Sequence, residues 1–245
     1  MDTGLRNAVV LVTGAGRGIG AACARAFATE GAELVLADLD ADAVGAVAGD
    51  LSAWAVELDV SDAGQVGRIA DEVAERCGRL DVLVHCAGVF QGTAFDRIEP
   101  DEWDRVLAIN LRGTFLVAQA AVRLMAPQGR GRIVTVGSLS AQSGGLAAGA
   151  AYTASKAGVA ALTKSIARFG APHGITANCV QPGIVDTDLT RAWPAAQLAA
   201  TVAATPLQRT ATPEEIAATV LYLSSDSSAF VTGTHADVNG GLYMA

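Results

Sequence analysis

The stretch Ala8-Val9-Val10-Leu11-Val12-Thr13-Gly14-Ala15-Gly16-Arg17-Gly18-Ile19-Gly20 decides how the rest of the chain is read. An apolar run of strand length enters a glycine-rich turn, and a helical pattern over Ile19–Glu30 follows at once. Glycines let a turn take positive φ and let a pyrophosphate approach the backbone closely. The helix behind them offers unpaired N–H groups and the positive end of its dipole. The spacing is GxxxGxG rather than GxGxxG. Strand, turn and helix in this order predict an anion-binding turn at the carboxyl end of a first strand.

The same alternation continues outward. Apolar runs at Glu33–Ala37, Ala53–Leu58, Val82–Val84, Arg132–Val136, Thr176–Val180 and His235–Val238 are separated by longer stretches. Helical patterns cover Ala63–Cys77, Trp103–Met125 and Tyr152–Phe169, and another begins at Pro213, where proline suits a first turn. This predicts a doubly wound α/β fold, a parallel seven-stranded sheet with helices on both faces. No linker rich in Pro, Gly and Ser interrupts the chain, so residues 1–245 are expected to form one domain. The least regular stretch, 184–206, follows a strand end, where such sheets bind ligands, and is expected to serve as a substrate lid.

Bulk composition excludes several classes. Hydrophobic residues make up 51% and charged residues 17%, enough apolar material for a core held without disulfides or metal. The net charge of −8 argues against binding a nucleic-acid backbone. It leaves room for a buried anionic cofactor held by local dipoles. Cys23, Cys77, Cys86 and Cys179 form no CxxC pair and adjoin no histidine cluster, so they read as reduced thiols with no metal. No charged lead and apolar stretch of a signal peptide is visible, and Ala8–Val12 is too short to span a membrane. A soluble, cytoplasmic protein without membrane or nucleic-acid partners is expected.

Asp38 closes the second apolar run, about twenty residues beyond the glycines, where a carboxylate can bond ribose hydroxyls. A 2′-phosphate there would meet negative charge, so Asp38 favours NAD over NADP. Arg17 opposes this reading, since a cation in the glycine turn could pair with that phosphate. Asp38 carries more weight because repulsion excludes NADP, whereas Arg17 can face solvent or the pyrophosphate.

Tyr152 and Lys156, four residues apart in Tyr-Thr-Ala-Ser-Lys, fall on one face of a predicted helix. A neighbouring ammonium favours the tyrosinate and is expected to lower the phenol's pKa. Such a tyrosine can take a proton from an alcohol and return it to a ketone. Ser138, just beyond the run Arg132–Val136, can hold the substrate oxygen beside the phenol, with Ser140 as its rival.

In order along the chain, Thr13–Gly20, Asp59-Val60, Ala87-Gly88, Asn110, Ser138, Tyr152–Lys156, Pro182-Gly183, Val231-Thr232-Gly233 and Asn239-Gly240-Gly241 resemble the short-chain dehydrogenases/reductases. The resemblance covers about Ala8 to Gly241 and implies a Rossmann-type fold. It implies a cofactor site built from Gly14, Arg17, Gly18, Ile19, Gly20, Asp38, Asp59, Val60, Cys86, Ala87, Gly88, Tyr152, Lys156, Pro182, Gly183, Val185 and Thr187. Asp59 and Val60 would line the adenine, and Val185 would bind the carboxamide through its backbone. The implied catalytic set is Asn110, Ser138, Tyr152 and Lys156, with Asn110 bending its helix and holding a relay water. His85-Cys86 stand where the family usually has two asparagines, and His85 reads as a packed strand-end residue.

Ser138, Ser140, Gln142, Tyr152 and Trp193, together with Gln91 and Leu146, are expected to face the substrate. That set is neutral, with no arginine cluster for a phosphate or carboxylate. The leading expectation is therefore an NAD-dependent alcohol dehydrogenase or carbonyl reductase for an uncharged secondary alcohol or ketone. An NADPH-dependent 3-oxoacyl-thioester reductase is the alternative, and a non-catalytic NAD-binding protein a third. The resemblance also implies a homotetramer built on Trp103–Met125, Tyr152–Phe169 and the C-terminal tail 241–245.

Overall fold

The computed structural model describes residues 3–145 and 148–244. Seven strands, β1 (Val9–Thr13), β2 (Glu33–Asp38), β3 (Trp54–Glu57), β4 (Val82–His85), β5 (Gly131–Val136), β6 (Ile175–Pro182) and β7 (His235–Val238), form one sheet. Its order is β3-β2-β1-β4-β5-β6-β7, and every neighbouring pair is parallel. After β1 the chain winds outward through β2 and β3, then crosses back to lay β4 on the other side of β1. A crevice therefore opens beyond the carboxyl ends of β1 and β4, the switch point at which doubly wound sheets bind ligands.

Strand side chains alternate between the two faces, and each face has its own core. Val10, Val12, Leu34, Leu36 and Val134 pack with Phe27 of α1 (Gly18–Thr29) and with Ile216 and Val220 of α10 (Pro213–Ser224). Val9, Leu11, Val35, Leu83 and Ile133 pack with Ile69 and Val73 of α3 (Ala63–Cys77) and with Val117 and Met125 of α5 (Gly113–Met125). The longest helix, α7 (Ala150–Gly170), lies on this second face and buries Val159, Thr163, Ile166 and Ala167.

Three segments differ from the sequence reading. A helix, α2 (Ala41–Leu51), is not among the helical patterns named from the sequence, because Gly45 and Gly49 dilute its spacing. Burial of Val44, Val47 and Ala48, with Asp40 capping the Ala43 N–H, supports it. Trp103–Met125 is not one helix. It begins earlier, as α4 (Pro100–Leu107), passes through a π-helical turn at Ala108–Arg112, and only then becomes α5. The stretch 184–206 is more regular than expected. It carries α8 (Asp188–Arg191), closed by a Thr187–Thr190 capping box, and α9 (Ala195–Ala204). A short helix, α6 (Ser140–Ser143), follows β5. Among the described residues no helix is long and apolar enough to cross a membrane.

Candidate active site

The glycine turn is a tight fold against its neighbours. Gly14 (φ 67°) and Gly18 (φ 53°) occupy the left-handed region, where side chains are strained. A Cβ at Gly14 would stand 2.6 Å from the Ala87 nitrogen, and one at Gly20 would stand 2.0 Å from the Gly14 oxygen. The first turn of α1 has neither a side-chain cap nor an acidic residue, so nothing built into the helix competes with an anion there.

Asp38, at the end of β2, is fixed by two amides. Its Oδ2 accepts from Gly16 N–H at 2.9 Å, and its Oδ1 accepts from Asp40 N–H at 3.1 Å. The cap of α2 is thus Asp40 and not Asp38. Asp40 also accepts from the Arg17 guanidinium at 2.6 Å, holding the turn's only cation. A groove of about 830 Å³ runs past these groups. Of the expected cofactor residues, Gly14, Arg17, Gly18, Ile19, Gly20, Asp38, Asp59, Val60, Cys86, Ala87, Gly88 and Thr187 line it. Its volume, glycine floor and uncapped helix N-terminus fit a dinucleotide. Pro182 and Val185 line no part of this groove, and Gly183 belongs to a neighbouring cavity. Asp40, Leu39 and Phe90 line the groove without having been singled out in the sequence. Asp40 had a legible signal, since residues 38 and 40 share one side of an extended segment.

The catalytic candidates converge where β5 and α7 meet. Lys156 is buried and donates from Nζ to the Val136 oxygen at 2.8 Å. Ser138 follows β5 and accepts from Ser140 N–H at 3.1 Å and from the Ser140 hydroxyl at 2.9 Å. It is also the side chain whose pairing with the Tyr152 phenol opposes the effect of burial there. Ser138 is therefore the partner of Tyr152, and Ser140 orients Ser138.

The expected lowering of the tyrosine pKa is not what the structure produces. Desolvation pushes the Tyr152 phenol above its ordinary value, opposed only by the Ser138 hydrogen bond. The Lys156 ammonium stands 5.8 Å from the centre of the phenol ring, and burial pulls its own pKa down. Removal from water favours the neutral form of both groups.

Asn110 lies in the π-helical turn, fully buried. Its side chain accepts from Val89 N–H at 2.8 Å and donates to the Val89 oxygen and to Ser155 Oγ, both at 3.0 Å. Asn110 thus braces the chain leaving β4 against α7. A Cβ at Gly88 would sit 3.1 Å from Asn110 Oδ1 and 3.4 Å from Lys156 Nζ, so only glycine passes between them without displacement. His85 behaves as expected of a packed residue. It is buried, its Nδ1 bonds the Thr13 hydroxyl at 2.8 Å, and burial drives its pKa down to about 3.

A separate cavity of about 100 Å³ includes Ser138, Ser140, Tyr152 and Trp193 in its walls. Phe90 bridges the two aromatic residues, its ring centre 5.2 Å from that of Tyr152 and 5.8 Å from that of Trp193. Gln142 does not belong here. It lines a different cavity beside Gln181 and Lys164. Gln91 is buried, with its Nε2 on the Thr93 oxygen, and does not line this cavity either. Leu146 lies outside the described residues. Among the described residues no cluster of three or more His, Cys, Asp or Glu side chains is placed to hold a metal.

Comparison with known proteins agrees with this geometry. A family model described as enoyl-(acyl carrier protein) reductase, of the short-chain alcohol dehydrogenase type, matches residues 14–243. The chain is 39% identical to a (3R)-3-hydroxyacyl-CoA dehydrogenase of Canis lupus familiaris, with 98% of each chain covered. It is 36% identical to the 3-oxoacyl-[acyl-carrier-protein] reductase FabG of Escherichia coli (strain K12), covering 96% of this chain and 97% of the relative. A solved structure titled crystal structure of gox2181 superposes with a TM-score of 0.94 at 37% identity, covering 97% of this chain and 96% of that one. Matches of this extent, together with the seven-stranded parallel sheet, place the chain in the short-chain dehydrogenase/reductase family, whose members are oxidoreductases that use a nicotinamide cofactor.

Proposed function

We propose that this oxidoreductase interconverts a 3-hydroxyacyl thioester and the corresponding 3-oxoacyl thioester with NAD(H). The observation that carries the chemistry is the pairing of the Ser138 side chain with the Tyr152 phenol, with Lys156 one helical turn farther along α7. Bound NAD(H) supplies or accepts the hydride. The chain's own residues handle the proton. The Tyr152 phenolate takes it from the alcohol during oxidation, and the Tyr152 phenol gives it to the carbonyl oxygen during reduction. Ser138 holds the reacting oxygen beside the phenol. Lys156 contributes positive charge from the next turn of α7, and Asn110 braces the chain leaving β4 against that helix.

NAD is preferred over NADP because a 2′-phosphate beside Asp38 would meet two carboxylates, while Arg17 is engaged by Asp40. The acyl-thioester class rests on the two relatives, one named for each direction of this reaction. A second reading, a simple uncharged ketone, is favoured by Arg191, the cation of the segment 184–206, which is bound to Asp186 at 2.8 Å and to Asp188 at 3.4 Å and so is tied to acidic partners. Assembly into a homotetramer through α5, α7 and the tail is part of the proposal, and a monomeric mass by light scattering would contradict it.

The test is oxidation of NADH and of NADPH by purified protein, with acetoacetyl-CoA and with a panel of uncharged ketones. Faster turnover of acetoacetyl-CoA with NADH supports the proposal. Turnover confined to simple ketones moves the second reading to the front, and a preference for NADPH overturns the cofactor assignment.

A further inference from the structure

We infer that the substrate cavity holds a second, uncharged oxygen acceptor of the substrate between the Trp193 indole N–H and the Ser143 hydroxyl. The inference deepens the proposed function and rests on it, for it assigns a seat to the thioester carbonyl. Trp193 Nε1 and Ser143 Oγ are both shielded from solvent and have no hydrogen-bond partner. Both residues line the cavity that also contains Ser138 and Tyr152. A buried polar group left unpaired costs about 1–3 kcal/mol, so two in one small cavity call for an occupant that pairs them.

The chemistry of the two groups specifies that occupant. An indole nitrogen can only donate, so its partner must be an acceptor. The serine hydroxyl can donate to the same atom or to its neighbour. Among the described residues no charged side chain lines the cavity. A carboxylate there would be desolvated without a counter-charge, whereas a carbonyl oxygen would not. The acceptor is therefore a neutral oxygen, and in the proposed substrate that oxygen is the thioester carbonyl.

Position agrees with chemistry. Ser143 ends α6, one turn beyond Ser140, which orients Ser138. Trp193 comes from the segment between α8 and α9, and Phe90 lies in tilted contact with both its ring and that of Tyr152. One donor thus belongs to the catalytic wall and the other to the segment 184–206. A substrate with a second carbonyl near the reacting one bridges the two, and a simple ketone leaves both donors unpaired. Trp193 and Ser143 are accordingly specificity-determining residues, with no part in proton transfer.

The experiment compares the N-acetylcysteamine thioester of 3-oxobutanoate with 2-pentanone, which lacks the second oxygen. Parent protein, Trp193→Phe and Ser143→Ala are assayed with both, and NADH titration verifies an intact cofactor site. Trp193→Phe keeps the ring and deletes the N–H. The ratio of kcat/KM for thioester over ketone is expected to fall about tenfold in each variant, the size of one lost hydrogen bond to a buried donor. A ratio unchanged from the parent in both variants overturns the inference. Failure of the parent itself to reduce the thioester overturns the proposed function, and this inference with it, so the two failures read differently.

Discussion

Arg17 of the glycine turn and Asp40 beyond β2 form an ion pair at 2.6 Å, and Asp40 at the same time caps α2. Both side chains are substantially exposed, so the pair adds little to stability. Its consequence is occupancy: the cation best placed to receive a 2′-phosphate already has a partner. Asp40→Ala releases Arg17, and NADPH use relative to NADH is expected to rise by about fivefold to tenfold. Asp38→Ala together with Asp40→Ala should raise it further. Unaltered discrimination in the double variant would show that selection lies elsewhere in the groove. Loss of the α2 cap lowers stability by about 1 kcal/mol, so thermal midpoints should be recorded alongside.

Tyr152→Phe keeps the ring that packs against Phe90 and removes the hydroxyl. Turnover is expected to drop by about two to four orders of magnitude while NADH binding persists. Stopped-flow or steady-state rates combined with a fluorescence titration separate the two effects. Near-parental turnover would place the proton-transfer group elsewhere.

The raised Tyr152 pKa sets the direction of the pH response. At neutral pH the phenol is protonated, the form that reduction requires. Oxidation needs the phenolate. The oxidation rate should therefore climb as pH rises toward the elevated pKa, and the reduction rate should stay level and then decline. Rates in the two directions measured from about pH 6 to pH 10 check this, and parallel profiles would contradict it.

His85 predicts a specific acid sensitivity. Its folded pKa of about 3 lies below the ordinary value of 6.5, so between those values the unfolded chain binds a proton that the native state refuses. The stability associated with neutral His85 is fully present above about pH 6.5 and is lost as pH falls toward the folded value, with a slope of at most about 1.4 kcal/mol per pH unit. His85→Asn removes that titration, and its urea midpoint should vary less between about pH 6 and pH 4 than the parent's. Equal slopes would assign the acid response to carboxylates instead.

The seven strands were legible as short continuous apolar runs, the mark of strands buried on both faces, and the helices α1, α3, α7 and α10 by a period of about 3.6 residues. The helix α2 was not legible, because its glycines weaken a pattern that only burial against the sheet completes. The break at Asn110 came from family resemblance rather than periodicity, since a π-helical turn leaves the apolar spacing nearly intact. Within the site, Tyr152, Lys156 and Ser138 were legible because their order and spacing survive along the chain. Gln142 was misplaced because α6 is a single turn whose facing depends on how β5 ends.

The sequence by itself determined the alternation of strand and helix, the position of the glycine turn, and a carboxylate at the end of β2. All of these are local, set by side-chain periodicity or by backbone freedom within a few residues. Tertiary structure alone decided that Asp40 holds Arg17, that Ser138 and not Ser140 meets the phenol, and that burial raises the Tyr152 pKa. Each of these depends on how groups from separate elements, such as β2 and the glycine turn or β5 and α7, exclude water or exchange protons, and distance along the chain carries no record of that.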